Sequence, residues 1–205
     1  MPKFVDHDAR RRAIADAVIE LAATEGLPAV TLRRVAGQLG GSMGAVQYYF
    51  SSRDEMLDFA HGHLAARREQ RVRARLEGLG RAPDQRDILY AAVLTGLPLD
   101  EDRRAEALAD GAYFARGLTE AGAHQRHGLP QLLAMFEDLV RTGISDGLVR
   151  EGVDPALEAR VLWALIATQA SALAHDVDSV EEALATVDYE MARIFIDPPT
   201  RVEQP

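Results

Sequence analysis

Residues 31–53 read TLRRVAGQLGGSMGAVQYYFSSR, and this stretch decides the fold. Thr31 is a typical N-cap for a first short helix, whose apolar residues recur at helical spacing. Gly40 and Gly41 supply the backbone freedom that ends this helix and turns the chain sharply. Ser42 then caps a second short helix. The segment therefore predicts two short helices joined by a tight glycine turn.

The second of these helices has few apolar side chains to bury. Val46 and Phe50, four residues apart, point inward on a helix. Its other side chains place thioether, amide and phenol groups on outward faces, an arrangement typical of a helix-turn-helix that reads DNA. These outward residues are Met43, Gly44, Gln47, Tyr48 and Tyr49.

Motifs across this region resemble the TetR family of transcriptional regulators. They are the helix Arg10–Glu25 followed by Gly26, the Thr31 start, Val35-Ala36, Gly40, Ser42-x-Gly44, Tyr49-Phe50 and Ser52–Leu57. Within the family, the form of residues 46–50 is similar to the branch typified by the betaine-synthesis repressor. Residues 97–104 and 179–195 resemble the C-terminal domain of that branch.

Two positions depart from the family pattern. Gly41 stands where the family usually has a branched apolar residue that packs on the first helix of the motif. The turn is therefore expected to be looser, and the fold less stable by about 1 kcal/mol. Arg53 replaces the usual lysine at the start of the fourth helix, and its forked donor suits a phosphate.

The resemblance implies an all-α fold of about nine helices in two domains. Residues 1–53 would form a three-helix DNA-binding domain, and residues 54–205 a helical ligand-binding and dimerisation domain. The implied function is a ligand-responsive repressor that binds a palindromic double-stranded DNA operator as a homodimer. No cofactor is expected.

The DNA contacts can be assigned by chemistry. Gln47 and Met43 are expected nearest the base edges, since an amide pairs with adenine and a thioether packs on a thymine methyl. Phosphate contacts are assigned to Thr31, Ser42, Tyr48, Tyr49 and Arg53, and the remaining predicted DNA contacts are Arg33, Arg34 and Gly44. Alternatively, Tyr48 or Tyr49 packs back against the first helix. The run Arg10–Arg12 either reaches phosphate or is a solvated face.

The last two helices carry apolar stripes that predict a homodimer through a four-helix bundle. The predicted interface comprises Val161, Leu165, Leu184, Val187, Met191, Ile194 and Phe195. A dimer would place two reading helices about 34 Å apart in successive major grooves. The alternative is that both stripes fold onto their own subunit.

A small-molecule effector, of unknown identity, is implied by the resemblance, which places it among helices four to eight. The candidate lining is Tyr90, Asp110, Tyr113, Phe114, Phe136 and Trp163. Apolar and aromatic walls with one carboxylate suit a mostly apolar or cationic ligand. Alternatively, these are ordinary core residues.

Composition is consistent with this interpretation. The 205 residues contain no cysteine, which excludes disulfide scaffolds and thiolate zinc sites. There is no initial apolar run or long apolar span, so the protein is expected to be cytoplasmic and not membrane-bound. The net charge is −9, yet residues 1–53 carry seven basic against five acidic residues, which leaves −11 for the rest. This segregation fits a DNA-binding end and an acidic body.

Other classes of protein have weaker support. His61-x-His63 places its two rings on different helix faces, and His124-x-x-His127 lacks an evident third ligand, so a metal site is not favoured. No phosphate loop or serine elbow points to an enzyme. A helical adaptor that kept the fold and lost DNA binding remains an alternative, motivated by Gly41.

Overall fold

The computed structural model describes residues 7–119 and 128–199, and over these residues the chain is all-helical. It contains nine α-helices and one 3-10 helix (Leu27–Ala29) within this part. The α-helices are α1 (His7–Glu25), α2 (Leu32–Gln38), α3 (Met43–Gln47), α4 (Arg53–Glu77), α5 (Gln85–Thr95), α6 (Glu101–Thr119), α7 (Leu129–Ser145), α8 (Pro155–Ala174) and α9 (Val180–Ile194). The predicted fold class is confirmed; α1 begins three residues before the expected Arg10.

The chain divides into two compact units. In its described part, the first comprises residues 7–67 and 101–119, and the second comprises 68–100 and 128–199. These units are defined by how compactly the chain packs, not by which residues would bind DNA. The predicted domain boundary after residue 53 therefore stays a prediction.

The first unit encloses its own core. Ile14, Val18 and Leu21 of α1 are buried at helical spacing, as their pattern predicts. α6 packs along α1, although the two are separated in sequence. Tyr113 of α6 is buried, and its hydroxyl donates to the Leu57 carbonyl of α4 (3.1 Å). Burial raises the pKa of this phenol above its ordinary value.

Ion pairs also fasten α6 within the first unit. Arg67 of α4 lies 2.9 Å from the carboxylate of Glu106, which is buried. Arg116 near the end of α6 lies 2.9 Å from Asp54 in the first turn of α4. These contacts make α6 part of the unit that contains α1 to α3.

The second unit has a separate core formed by α5, α7, α8 and α9. α7 packs on both α8 and α5, and α9 packs on α8 and α5. Side chains cap the last two helices: Asp154 accepts from two backbone N–H groups of α8, and Ser179 forms a capping box with Glu182. An isolated antiparallel bridge joins Val149 to Phe195.

Candidate DNA-binding site

The α2–α3 motif is built by two side-chain caps and one glycine. Thr31 Oγ1 accepts from the Arg34 N–H (3.1 Å), and Ser42 Oγ accepts from the Ala45 N–H (3.3 Å). Gly40 has a φ of +65°, the left-handed conformation in which glycine replaces other residues without strain. The chain therefore turns within the four residues between the end of α2 at Gln38 and the start of α3 at Met43.

α3 buries only one of its five residues. Val46 is buried in the first unit's core, as is Phe50 just beyond the helix. The other α3 side chains face outward, and Met43 is 44% exposed while Tyr48 next to the helix is 75% exposed. Gln47 is also exposed. Thioether, amide and phenol groups thus stand on one protruding element, and such groups contact base edges and phosphates.

The two tyrosines after α3 have different surroundings. Tyr49 is half-buried and packs against the first unit's core, whereas Tyr48 is not in that core. The His7 ring at the start of α1 lies 4.6 Å from the Tyr49 ring and 6.0 Å from the Tyr48 ring, between centroids. The alternative that a tyrosine packs back on the first helix therefore holds in part for Tyr49.

The two arginines of α2 are not equivalent. Arg34 forms an ion pair and two hydrogen bonds with Glu25 at the end of α1. Those hydrogen bonds hold the pKa of Glu25 below its ordinary value. Arg33 is exposed on the same helix. Contacts of Arg33 and Arg34 with DNA stay predictions, and Arg34 would have to share its guanidinium with Glu25.

Arg53 makes contacts that the sequence did not predict. Its Nε donates to the Val30 carbonyl and one terminal nitrogen donates to the Leu27 carbonyl, both at 2.6 Å. The side chain is partly buried and fastens the start of α4 to the turn after α1. Its first role is therefore structural, and a phosphate contact by its other N–H groups stays a prediction.

The basic run at the start of α1 is also heterogeneous. The Arg11 guanidinium lies 4.8 Å from the Phe50 ring centroid and 4.3 Å from that of Phe59, a pair of cation–π contacts within the first unit. Neither of the two interpretations offered for this run, phosphate contact or solvated face, describes Arg11. Its aromatic partners lie 39 and 48 positions later, outside any local motif.

The pattern Ser52-x-x-Glu55 is typical of a capping box at the start of α4, and the structure forms half of it. Ser52 Oγ accepts from the Glu55 N–H (3.1 Å). The Glu55 carboxylate instead accepts from the backbone N–H and hydroxyl of Ser51, at 2.8 and 2.7 Å. These bonds lower the pKa of Glu55. Hydrogen bonds of both Ser51 and Ser52 with Glu55 thus hold the loop between α3 and α4.

The predicted ligand-lining residues fall three in each unit. Asp110, Tyr113 and Phe114 belong to the first, and Tyr90, Phe136 and Trp163 to the second. Both tyrosine hydroxyls of this set make internal hydrogen bonds, since the Tyr113 hydroxyl donates to the Leu57 carbonyl and the Tyr90 hydroxyl donates to Asp188 (2.9 Å). A single pocket lined by all six stays a prediction. A groove of about 610 Å³ in the second unit, beside Val72, Leu76 and Pro83, is lined by none of them.

Four of the seven predicted interface residues are corrected by the structure. Val187, Met191, Ile194 and Phe195 are at most 1% exposed and form part of the second unit's own core. Their stripe faces inward because α9 must bury an apolar face against α5 and α8. Val161 is 42% exposed, and Leu165 and Leu184 are half-buried. Leu157, one turn before Val161 on α8, is 62% exposed and was not among the predicted interface residues.

The histidines considered for a metal site have other neighbours. His63 Nε2 lies 3.0 Å from Asp16 Oδ1, and the His61 ring packs against Tyr113 at 5.2 Å. His124 and His127 lie outside the described residues. Across residues 7–119 and 128–199, no three His, Cys, Asp or Glu side chains are grouped as a metal site. In this same part of the chain, no helix is long and apolar enough to cross a membrane.

The fold and the α2–α3 motif are those of a helical protein with a helix-turn-helix. Residues 14–59 match the family model for bacterial regulatory proteins of the tetR family. The HTH-type transcriptional regulator PksA of Bacillus subtilis (strain 168) is 27% identical over 173 residues, which are 81% of this chain and 79% of that protein.

Solved structures agree with this class. A transcriptional regulator from Rhodococcus sp. Rha1 is similar with a TM-score of 0.72 and 27% identity, over 92% of this chain and 99% of that one. A putative transcriptional regulator from Saccharomonospora viridis, solved in complex with choline, has a TM-score of 0.75 and 20% identity, over 93% and 100%. At that identity the second match supports the fold alone. The chain is thus similar to TetR-family proteins over residues 14–59, and the two relatives at 27% identity are both transcriptional regulators.

Proposed function

We propose that the chain is a ligand-responsive repressor that binds a palindromic DNA operator as a homodimer. The observation that carries the proposal is the exposed face of α3, which presents Met43, Gln47 and Tyr48 to solvent while Val46 anchors the helix. Most of the Tyr48 side chain and the Gln47 amide face solvent in the subunit, whereas the DNA grooves and phosphates offer such groups partners.

Within this proposal, Gln47 and Met43 read base edges. Tyr48, Thr31 and Ser42 contact phosphate. Thr31 and Ser42 also cap α2 and α3, and the N–H groups at the start of these helices attract phosphate. Tyr49 contributes chiefly by supporting Tyr48, whose ring centroid lies 5.0 Å away in an edge-to-face arrangement.

The DNA-binding proposal is tested by selecting operators from random duplexes and then measuring affinity by fluorescence anisotropy. Gln47→Ala should reduce the preference for one base at one step of each half-site. The difference in binding free energy between the preferred base and the others should fall by about 1–3 kcal/mol. Gln131→Ala is the matched control, because Gln131 is exposed on α7 in the second unit. Absence of any salt-dependent duplex binding by the folded wild type would favour the adaptor alternative.

The homodimer is proposed through the exposed face of α8 and the adjacent part of α9. Leu157 and Val161 are four residues apart on α8, and Leu165 continues their row one turn later. Leu184 of α9 completes the proposed interface. Symmetric pairing of such faces is the common route to a two-fold bundle, and it would place two α3 helices on one operator.

The effector is proposed to be a small, mostly apolar or cationic molecule. The supporting observations are the aromatic residues in each unit and the choline complex of the S. viridis neighbour. The branch of the betaine-synthesis repressor is proposed on the residue matches at 46–50, 97–104 and 179–195.

The effector proposal is tested by thermal shift against choline and other quaternary amines, with anisotropy of the selected operator. A ligand at a hundred times its dissociation constant should raise the unfolding free energy by about 2.7 kcal/mol. A coupling of about 1–3 kcal/mol should release DNA roughly five- to hundred-fold. A ligand that stabilises the fold without changing operator affinity contradicts the ligand-responsive part of the proposal.

A further inference from the structure

Two glutamates of the second unit are buried against each other. Glu158 lies in the first turns of α8 and is 6% exposed, and Glu190 lies near the end of α9 and is 5% exposed. The side chains of the two residues are within hydrogen-bonding contact. Neither residue has a part in DNA reading or in the proposed effector site.

The polar partners of this pair are unequal. Glu190 accepts from Arg193 Nη1 with both carboxylate oxygens, at 3.0 and 2.9 Å. Oε1 of Glu158 is buried and receives no hydrogen bond from any described donor. An ionised carboxylate without donors is very unfavourable in a buried position, whereas a protonated carboxyl can donate to its neighbour.

We propose that Glu158 and Glu190 share one proton, and that this proton fastens the first turns of α8 to α9. Arg193 compensates one negative charge, and the proton removes the other. The pair is a proton-binding site whose occupancy sets the stability of this end of the α8–α9 pair. When the proton leaves, two carboxylates repel in a buried position, and the first turns of α8 loosen.

The electrostatics agree with this arrangement. Burial raises the pKa of Glu158 to about 7, and the hydrogen bond and charge of Glu190 act in the same direction, while Arg193 opposes them. Arg193 also faces Tyr189 on α9. Within residues 7–119 and 128–199, the charged groups that act on the Glu158 carboxyl are thus both on α9, and none is on α7, which also packs on α8.

The sign of the pH effect follows from linkage. The folded pKa of Glu158 lies above the ordinary 4.5, so the folded state holds the proton more tightly than the unfolded state. The stabilisation is complete below pH 4.5 and is lost as pH rises through about 7. Because each unit of pKa difference is tenfold, the unfolding constant should rise on the order of a hundredfold across this window.

The first test is urea unfolding of the full chain between pH 4.5 and 8.5. Glu158→Gln keeps an amide donor to Glu190 but has no proton to lose, so the variant should match the wild type near pH 5 and exceed its stability at pH 8.5. The matched control is Glu151→Gln, since Glu151 is exposed just before α8 and should keep the wild-type pH dependence. Equal pH dependence in wild type and Glu158→Gln would overturn the proposal.

A direct titration keeps the proposal testable if the variant does not fold. The side-chain carboxyl carbon of Glu158 in the wild type should titrate near neutral pH by NMR, and amides in the first turns of α8 should lose exchange protection over the same range. Titration of that carbon near 4.5 would refute proton sharing.

The consequence for assembly rests on the proposed homodimer. Glu158 adjoins Leu157 and lies one turn from Val161, so loosening of α8 should raise the dimer dissociation constant at pH 8.5 relative to pH 5.5, and Glu158→Gln should abolish this difference. A chain that stays monomeric at every pH refutes the dimer while the unfolding and NMR measurements still decide the carboxyl pair.

Discussion

Gly40 and Gly41 stand side by side in the α2–α3 turn but have different conformational demands. Gly40 has a φ of +65°, whereas Gly41 does not have a left-handed φ. A Cβ on Gly41 would lie 3.9 Å from the Ala36 carbonyl oxygen and 4.0 Å from the Ala45 Cβ, both ordinary contacts. The family's larger residue at this position is therefore sterically compatible at its Cβ with this backbone.

Gly41→Ala should stabilise the chain. The substitution restricts the unfolded chain and adds a contact with Ala45, so the unfolding free energy should rise by about 0.5–1 kcal/mol in urea titration. Gly40→Ala is the matched control and should lower it by about 1–2 kcal/mol, because a side chain at that φ is strained. A loss of stability in both variants would contradict this description of the turn.

Arg53→Lys should destabilise the chain despite keeping the charge. A lysine cannot span the Val30 and Leu27 carbonyls with the two donors of the guanidinium, so a loss of about 1–3 kcal/mol in unfolding free energy is expected. Arg33→Lys is the control, since Arg33 is exposed, and should change stability by less than about 0.5 kcal/mol.

Operator affinity, measured by fluorescence anisotropy for Arg53→Lys and Arg33→Lys, separates a structural role of Arg53 from a phosphate contact. If Arg53 contacted only phosphate, Arg53→Lys would leave the unfolding free energy unchanged. Operator binding would weaken through loss of the forked donor, and its salt dependence would stay the same because the charge is kept. Unchanged stability together with weaker DNA binding would thus reverse the structural assignment.

At the scale of the element, the capping box of α9 combines three hydrogen bonds. Ser179 Oγ accepts from the Glu182 N–H, while the Ser179 backbone N–H and hydroxyl donate to Glu182 Oε2 at 2.8 and 2.7 Å. The backbone bond first, and the hydroxyl second, hold the pKa of Glu182 below 4.5. The stabilisation that the Glu182 carboxylate contributes to the capping box is therefore fully present above pH 4.5. It is lost as the pH falls through the lowered pKa of the folded state.

Ser179→Ala should lower the unfolding free energy at neutral pH by about 1 kcal/mol. The difference from wild type should narrow as the pH falls below 4.5 and Glu182 becomes protonated, because protonation weakens the box. Ser145→Ala is the control, because the Ser145 hydroxyl bonds only a carbonyl of its own helix, Arg141, at 3.3 Å. A difference that stays constant down to pH 3 would show that the carboxylate does not contribute.

Helix ends were predictable from the sequence because a cap and its partner lie within three residues of each other. Thr31, Ser42, Asp154 and Ser179 all cap as their local patterns predict. Arg53 was not predictable in this way, since its two carbonyl partners lie 23 and 26 residues earlier. The same limit applies to the aromatic contacts of Arg11.

Periodicity identifies which face of a helix is buried, but not which surface covers it. The prediction that Val187 and Ile194 lie on one apolar face of α9 is confirmed. That face packs in the second unit's own core and not against a partner subunit. The carboxyl pair was missed for a related reason, because Glu158 and Glu190 lie 32 positions apart and each resembles a solvated helix residue.

At the scale of the whole molecule, charge and assembly should act together on DNA. Residues 1–53 carry a net +2 and the rest of the chain −11, so the acidic part is repelled by phosphate and contributes little to affinity. A single α3 helix has five residues and offers few base contacts. In the proposed repressor, tight and selective DNA binding therefore depends on a dimer that reads two half-sites at once, and loss of the dimer should weaken it.

Val161→Asp should separate assembly from folding. Val161 is 42% exposed, so the isolated subunit should keep its unfolding free energy to within about 0.5 kcal/mol, while a charge in the proposed bundle should yield monomers by size-exclusion chromatography with light scattering. Val187→Ala is the contrasting control: Val187 is fully buried, so stability should fall by about 1–3 kcal/mol while the folded fraction still dimerises. A Val161→Asp protein that remains dimeric would place the interface away from this face of α8.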